Sequence, residues 1–342
     1  MDDFLQHNWA RPNAEYANNL ININLKELSD SFLYLAKVCD YNQPDGLVVC
    51  RQHLTMRSDT ALFFLAHESL LRAAHKQDQQ ECHRILESLA EQSLHINQRH
   101  QQMQYSRYGL TYSPSIEALM RDVMGSDHEE TYKGQYKGTK STLFTPEHHD
   151  AQDTIDVLKA VHRRLQRVDV THFNELNTLI QRVVLLGSNG LNASTYISLL
   201  GAFFLRTYEP EKEHWERLLE HTVHESAHNL LYHLWYQIAP ITDDEGVYYT
   251  PVRRDCRPLS GVYHAMFVLA RTIYGFEALL NKKLLQPEDI QSHYNEANND
   301  TPFKEKFRQT AHVLASSGKL TEFGSQLLAD CSKLVNDCCC DI

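Results

Sequence analysis

The chain has 342 residues, 42% of them hydrophobic and 23% charged, so it holds enough apolar material for one large or two medium domains and is not a disordered polypeptide. A formal net charge of −11 and a pI near 6.0 leave no overall positive field to attract nucleic acid or an anionic membrane surface. Met1-Asp2-Asp3-Phe4-Leu5 lacks a basic stretch followed by an apolar one, and no run approaches the roughly 18 apolar residues of a spanning helix, so a cytoplasmic protein is expected.

In chain order, apolar residues recur with a period near 3.6 over Leu25 to Val38, Ala61 to Ala74 and Cys82 to Ile96, each predicting a helix. From about Tyr105 to Thr145 the pattern lapses. That stretch contains Gly125 and a doublet, Tyr132-Lys133-Gly134 and Tyr136-Lys137-Gly138, and reads as a loop or linker. Helical periodicity returns over Asp153 to Val168, where Ile155, Leu158, Val161 and Leu165 form one stripe, and over Phe173 to Leu186. Gly187-Ser188-Asn189-Gly190 then suggests a turn, and Ala202-Phe203-Phe204-Leu205 a short buried strand near the site, with a helix as the alternative. Further helices are predicted over Trp215 to Ile238, Val262 to Leu280, Phe303 to Ala315 and Thr321 to Val335. Thr145-Pro146 and Thr301-Pro302 look like capping hydroxyls followed by a first-turn proline. The expectation is a mainly α, multi-helical protein with a small β element near the active site. A helical N-terminal region, residues 1–144, suited to substrate or leader recognition, would precede a catalytic helical region, residues 145–342.

Cys39, Cys50, Cys82 and Cys256 are scattered, and Cys331, Cys338, Cys339 and Cys340 cluster near the end without a CxxC pair. A reduced, mobile tail is expected there, not a disulfide framework or a zinc cluster.

His224-Glu225-Ser226-Ala227-His228 is the main chemical signal. Histidines four apart on a helix project from one face, one turn apart, and can chelate one metal, while Glu225 sits beside that face. The bland reading is a polar helix face carrying His214, His221, His224, His228 and His233. Against it, Leu230, Leu231, Leu234, Trp235 and Ile238 make one side of this helix core. A mononuclear site needs a third protein ligand. Neither pattern of the zinc proteases appears downstream, and the best candidate is His264, in Gly261-Val262-Tyr263-His264. The pair His148-His149 stays open as a further source of ligands.

Between the two helices runs Tyr248-Tyr249-Thr250-Pro251-Val252-Arg253-Arg254-Asp255-Cys256-Arg257-Pro258, a non-helical segment with prolines and three arginines in five positions. Arginine's planar fork grips carboxylates in pairs of hydrogen bonds. Over Val223 to Ile273 these spaced elements resemble the HExxH-type peptide-modifying proteins, 2-oxoglutarate-dependent peptide β-hydroxylases of ribosomal peptide pathways. Thr250, Val252 and Cys256 depart from the family's frequent serine, tryptophan and proline. The resemblance implies that His224, His228 and His264 hold Fe(II) on helices, unlike the jelly-roll barrel oxygenases. It also implies that Arg253 or Arg257 anchors the cosubstrate 2-oxoglutarate, that O2 is the oxidant, and that the substrate is a ribosomal precursor peptide. Glu225 would be a catalytic base in a hydrolase, and its role in an oxygenase is open. The alternative is a zinc metallopeptidase using the same His-Glu-x-x-His.

Overall fold

A computed structural model describes residues 6–41, 52, 54, 56–94, 103–132, 142–252, 255–286 and 302–338. Among these, ten α-helices and seven short strands are present, so the protein is mainly helical. In chain order the elements are α1 (Ala14–Val38), α2 (Thr60–His75), α3 (Gln79–Leu94), β1 (Gln104–Arg107), α4 (Pro114–Tyr132), β2 (Leu143–Phe144), α5 (His148–Val168), α6 (Val170–Leu179), β3 (Arg182–Ser188), β4 (Ala193–Ser194), β5 (Ala202–Arg206), α7 (Glu216–Gln237), β6 (Tyr248–Thr250), β7 (Asp255–Arg257), α8 (Leu259–Asn281), α9 (Phe303–Ser316) and α10 (Glu322–Asp337). No helix among the described residues is long and apolar enough to cross a membrane.

The chain forms two compact units that interleave along the sequence, one made of residues 1–18, 153–178 and 208–342, the other of residues 19–152 and 179–207. The second unit holds the larger sheet. Its strands run in the order β1-β3-β5-β4, β1, β3 and β5 parallel and β4 antiparallel to β5, while β2 adds antiparallel to the end of β3; the sheet is open, not a closed barrel.

Two expectations change here. The stretch read as a loop contains β1, β2 and the long helix α4, whose Ile116, Leu119, Met120, Val123 and Met124 are buried at helical spacing behind Ser113-Pro114, a start signal that outweighs the polar residues around them. The Tyr-Lys-Gly repeat lies largely outside the described residues. The helix expected through Leu186 ends at Leu179, and Val183, Val184, Leu185 and Leu186 are instead a strand. A parallel strand buried on both faces is apolar at every position, so it loses the alternation that would betray it. The run at 202–205 is indeed a strand, β5.

The first unit is helical, with α8 as its buried spine: Val262, Tyr263, Met266, Phe267, Ala270, Ile273 and Phe276 are all inaccessible. A charge lies inside it. Arg271 forms an ion pair with Glu175 of α6 and donates from its other terminal nitrogen to the Ala10 carbonyl at 3.2 Å, while the Asn13 amide donates to Glu175 at 2.6 Å. Tyr263 donates to the Gly324 carbonyl at 2.8 Å, joining α8 to α10; a side chain at Gly324 would collide with the Pro240 carbonyl just beyond α7. Cys331, expected in a mobile tail, is buried in α10 between turns carrying Leu327 and Leu334. All five described cysteines are free thiols; Cys339 and Cys340 lie outside the described residues.

Two histidines of this unit carry a pH dependence. Burial lowers the His162 imidazole to about 4 and holds His172 well below its ordinary value, with the Arg271 charge adding to the effect at His172. Since both are depressed relative to an unfolded histidine near 6.5, the unfolded chain takes up protons first as pH falls. Stability is therefore full above about pH 6.5 and declines below it, at about 1.4 kcal/mol per pH unit for each group until its folded value is reached. For His162 the whole decline comes to about 3 kcal/mol. Urea titrations of metal-free protein at pH 7, 6 and 5 should show His162→Leu losing stability with a slope shallower by about 1.4 kcal/mol per unit; parallel slopes for the two proteins would refute the assignment.

Candidate metal centre

Helix α7 is buried on nearly every side. Leu218, Leu219, Val223, Ala227, Leu230, Leu231 and Leu234 are core, and Glu216, Arg217, Glu220, Glu225, Asn229 and His233 are buried with them. What remains accessible along the middle of the helix is one ribbon at spacings of three and four: His221, His224, His228, Tyr232 and Trp235. Two turns of histidine are followed by two turns of aromatic side chains.

The ribbon faces α8. His228 Nε2 stands 3.2 Å from His224 Nε2, and on the other side of its ring His228 Nδ1 stands 2.9 Å from His264 Nδ1. The His264 ring lies against Trp235, nearly parallel at 5.2 Å between centroids, and against Tyr232 at 4.6 Å. Burial pushes the His264 imidazole down to about 3, so this ring is neutral near pH 7 even though part of the residue stays accessible. Sequence spacing pointed to His264 as a candidate, and the structure brings it to His228. Nothing in the sequence announced the aromatic seat that fixes it, because Trp235 and His264 lie on different helices.

The donors suit a metal in kind and, at one pair, in spacing. Two imidazole nitrogens bound to one ion at about 2.1 Å, at an angle of roughly 90–110°, are separated by about 3.0–3.4 Å, which includes the 3.2 Å between His224 and His228. His264 meets the opposite nitrogen of His228. The three rings therefore form a row, and among the described residues no three His, Cys, Asp or Glu side chains converge on one point as a ready-made cage. In this row each short nitrogen pair needs one proton. A metal on His228 Nε2 requires that nitrogen bare, and the Nδ1 proton then donates to His264, the outer hydrogen bond that ordinarily orients a ligating histidine.

Glu225 is buried at 4% exposure and off the ribbon, as its place beside the histidine face implied. The arginine turn is a hairpin, β6 against β7, with Tyr248 opposite Arg257, Tyr249 opposite Cys256 and Thr250 opposite Asp255. Alternation puts Asp255 and Arg257 on the face shared with buried Thr250, while Tyr249 and Cys256 face outward and are exposed. Arg257 is held by Asp255, Nε donating to Oδ1 at 2.9 Å and Nη2 to Oδ2 at 2.9 Å. Arg253 lies outside the described residues.

Helix α8 starts directly after the hairpin, with Pro258 before its first turn and Asp244 accepting from the Ser260 amide at 2.7 Å. Gly261 packs beside Arg257. A Cβ there would sit 3.5 Å from Arg257 Cβ and 3.7 Å from Cδ, so the arginine stem lies along the first turn of α8. His264 is one turn further on the same face. His148 and His149 are exposed in the first turn of α5.

No protein-family model matches the chain, and no curated protein matches it.

Proposed function

We propose that the chain is an Fe(II)- and 2-oxoglutarate-dependent peptide β-hydroxylase acting on a residue of a ribosomally made precursor peptide, with His224 and His228 as its metal donors and His264 orienting His228 from the other side of its ring. The observation that carries this reading is the accessible ribbon of α7, where an otherwise buried helix leaves its histidines exposed to one another and to His264. Bound iron would supply the reaction of O2 with 2-oxoglutarate that gives CO2 and succinate and inserts the second oxygen atom into a peptide C–H bond.

The chain's own residues divide the work. His224 and His228 offer nitrogens at chelating distance, and Trp235 and Tyr232 fix the plane of His264. Arg257, one helical turn from His264, offers a carboxylate-binding fork for the far end of 2-oxoglutarate. Arg253 is the second arginine of the proposal. Glu225, buried beside the ribbon, would be the general base for metal-bound water in the zinc peptidase alternative, whereas oxygenation needs no such base.

Protein purified without oxygen, reconstituted with Fe(II) and given 2-oxoglutarate, air and a library of short peptides should form succinate and a peptide heavier by one oxygen atom in equal amounts. Succinate no higher than iron alone produces would reject the oxygenase, and zinc-dependent peptide cleavage would establish the peptidase instead.

A further inference from the structure

Arg257 packs its stem on Gly261, one turn before His264 on α8, with its fork already filled. The contact is side-on: Nε lies 2.9 and 3.1 Å from the two Asp255 oxygens, and Nη2 lies 2.9 Å from Oδ2. A free carboxylate takes the same pose on a guanidinium. The two side chains are 15% and 24% exposed, shielded enough to bind an anion firmly and open enough for one to enter. They are also neighbours on one strand face, so Asp255 is held at the fork by the backbone and needs no other element to bring it there.

We propose that Asp255 is a built-in competitor for the carboxylate site on Arg257, holding the guanidinium while the site is empty and releasing it to a small 2-oxo acid or dicarboxylate that takes over the same nitrogens. This rests on the reading of Arg257 as the anchor for 2-oxoglutarate. An arginine in a partly enclosed position without a counter-ion is costly, and Asp255 removes that cost in the empty protein. The exchange is carboxylate for carboxylate, so affinity is set by the difference between two ion pairs, and the incoming acid gains what Asp255 gives up. An acid that also reaches the histidine row would outcompete Asp255, whereas a monocarboxylate has only the exchange to offer.

The opposite role, in which Asp255 steadies Arg257 in a receptive pose, predicts the opposite result. Calorimetric titration of the full chain with 2-oxoglutarate and with succinate, metal-free and loaded with Zn(II) to prevent turnover, separates the two. Asp255→Asn keeps the shape and removes the charge, and should lower the Kd for both acids roughly two- to tenfold, the range for releasing a partly shielded ion pair. Asp255→Ala should shift it in the same direction, and Arg257→Gln should abolish binding of succinate. An unchanged or raised Kd in both Asp255 variants overturns the proposal, as does failure of every variant to bind either acid. Tighter binding in Asp255→Asn with no succinate formed by the iron-loaded protein removes the hydroxylase reading and leaves this one standing; an unchanged Kd with succinate formed does the reverse.

Discussion

Replacing His228 with alanine is expected to lower metal affinity by well over 100-fold, more than the 10- to 100-fold that loss of an outer hydrogen-bond partner causes. His228 is the middle of the row, with one nitrogen 3.2 Å from His224 and the other 2.9 Å from His264, so its removal breaks both contacts at once. His224→Ala and His264→Ala each break one. The affinity order should therefore be wild type, then the outer variants, then His228→Ala, read from metal content after dialysis against a graded chelator. The ring is partly accessible, so its loss should cost little stability, and thermal unfolding of the metal-free variants should stay close to wild type. Undiminished metal content in His228→Ala would show that the row holds no ion.

The largest stability effect is expected at the ion pair inside the first unit. Arg271 is 1% exposed, and its terminal nitrogens are shared between Glu175 and the carbonyl of Ala10. Glu175→Gln preserves shape but leaves the guanidinium charged and uncompensated in the core, which should cost about 3–5 kcal/mol, the usual result of breaking a buried pair from one side. Arg271→Met strands the carboxylate and should cost a similar amount. The double variant, with no charge left to bury, should be more stable than the sum of the two losses predicts. Denaturant titration followed by circular dichroism measures all three; single variants within about 1 kcal/mol of wild type would mean that solvent reaches the pair.

Much of the helical architecture is legible in the sequence because amphipathic helices repeat their apolar residues: α5, α7, α9 and α10 differ from their expected spans by only a few residues. Elements stay hidden where the physics erases the period. Val183 to Leu186 is apolar throughout because both faces of the strand are buried, so its pattern merges with that of the helix before it. In α4 the apolar positions were present but were outweighed by glycine and polar residues around them. A single division near residue 144 follows the order of the chain, whereas the compact units are assembled from interleaved pieces, which no linear scan can show.

At the site, His224, Glu225, His228 and His264 could be picked out by residue type and spacing, since one helical turn brings two histidines together. Two things were hidden. Trp235 stacks on His264 across a gap of 29 positions, and Asp255 clasps Arg257 only because the segment pairs into a hairpin that puts both on one face.

The interleaving also sets an order on assembly during synthesis. Every piece of the second unit has been synthesised once residue 207 is made, so that unit can close while later parts of the chain are still being translated. The first unit has to wait. Its opening segment carries the Ala10 carbonyl and the Asn13 amide and its middle segment carries Glu175, but the positive charge that binds them is Arg271, almost a hundred residues after Glu175. Until α8 is made, the Glu175 carboxylate lacks the cation it pairs with in the folded unit, so burying it is costly. Completion of this pair therefore waits for α8, and the same helix carries His264, so the histidine row too is completed only when α8 is made.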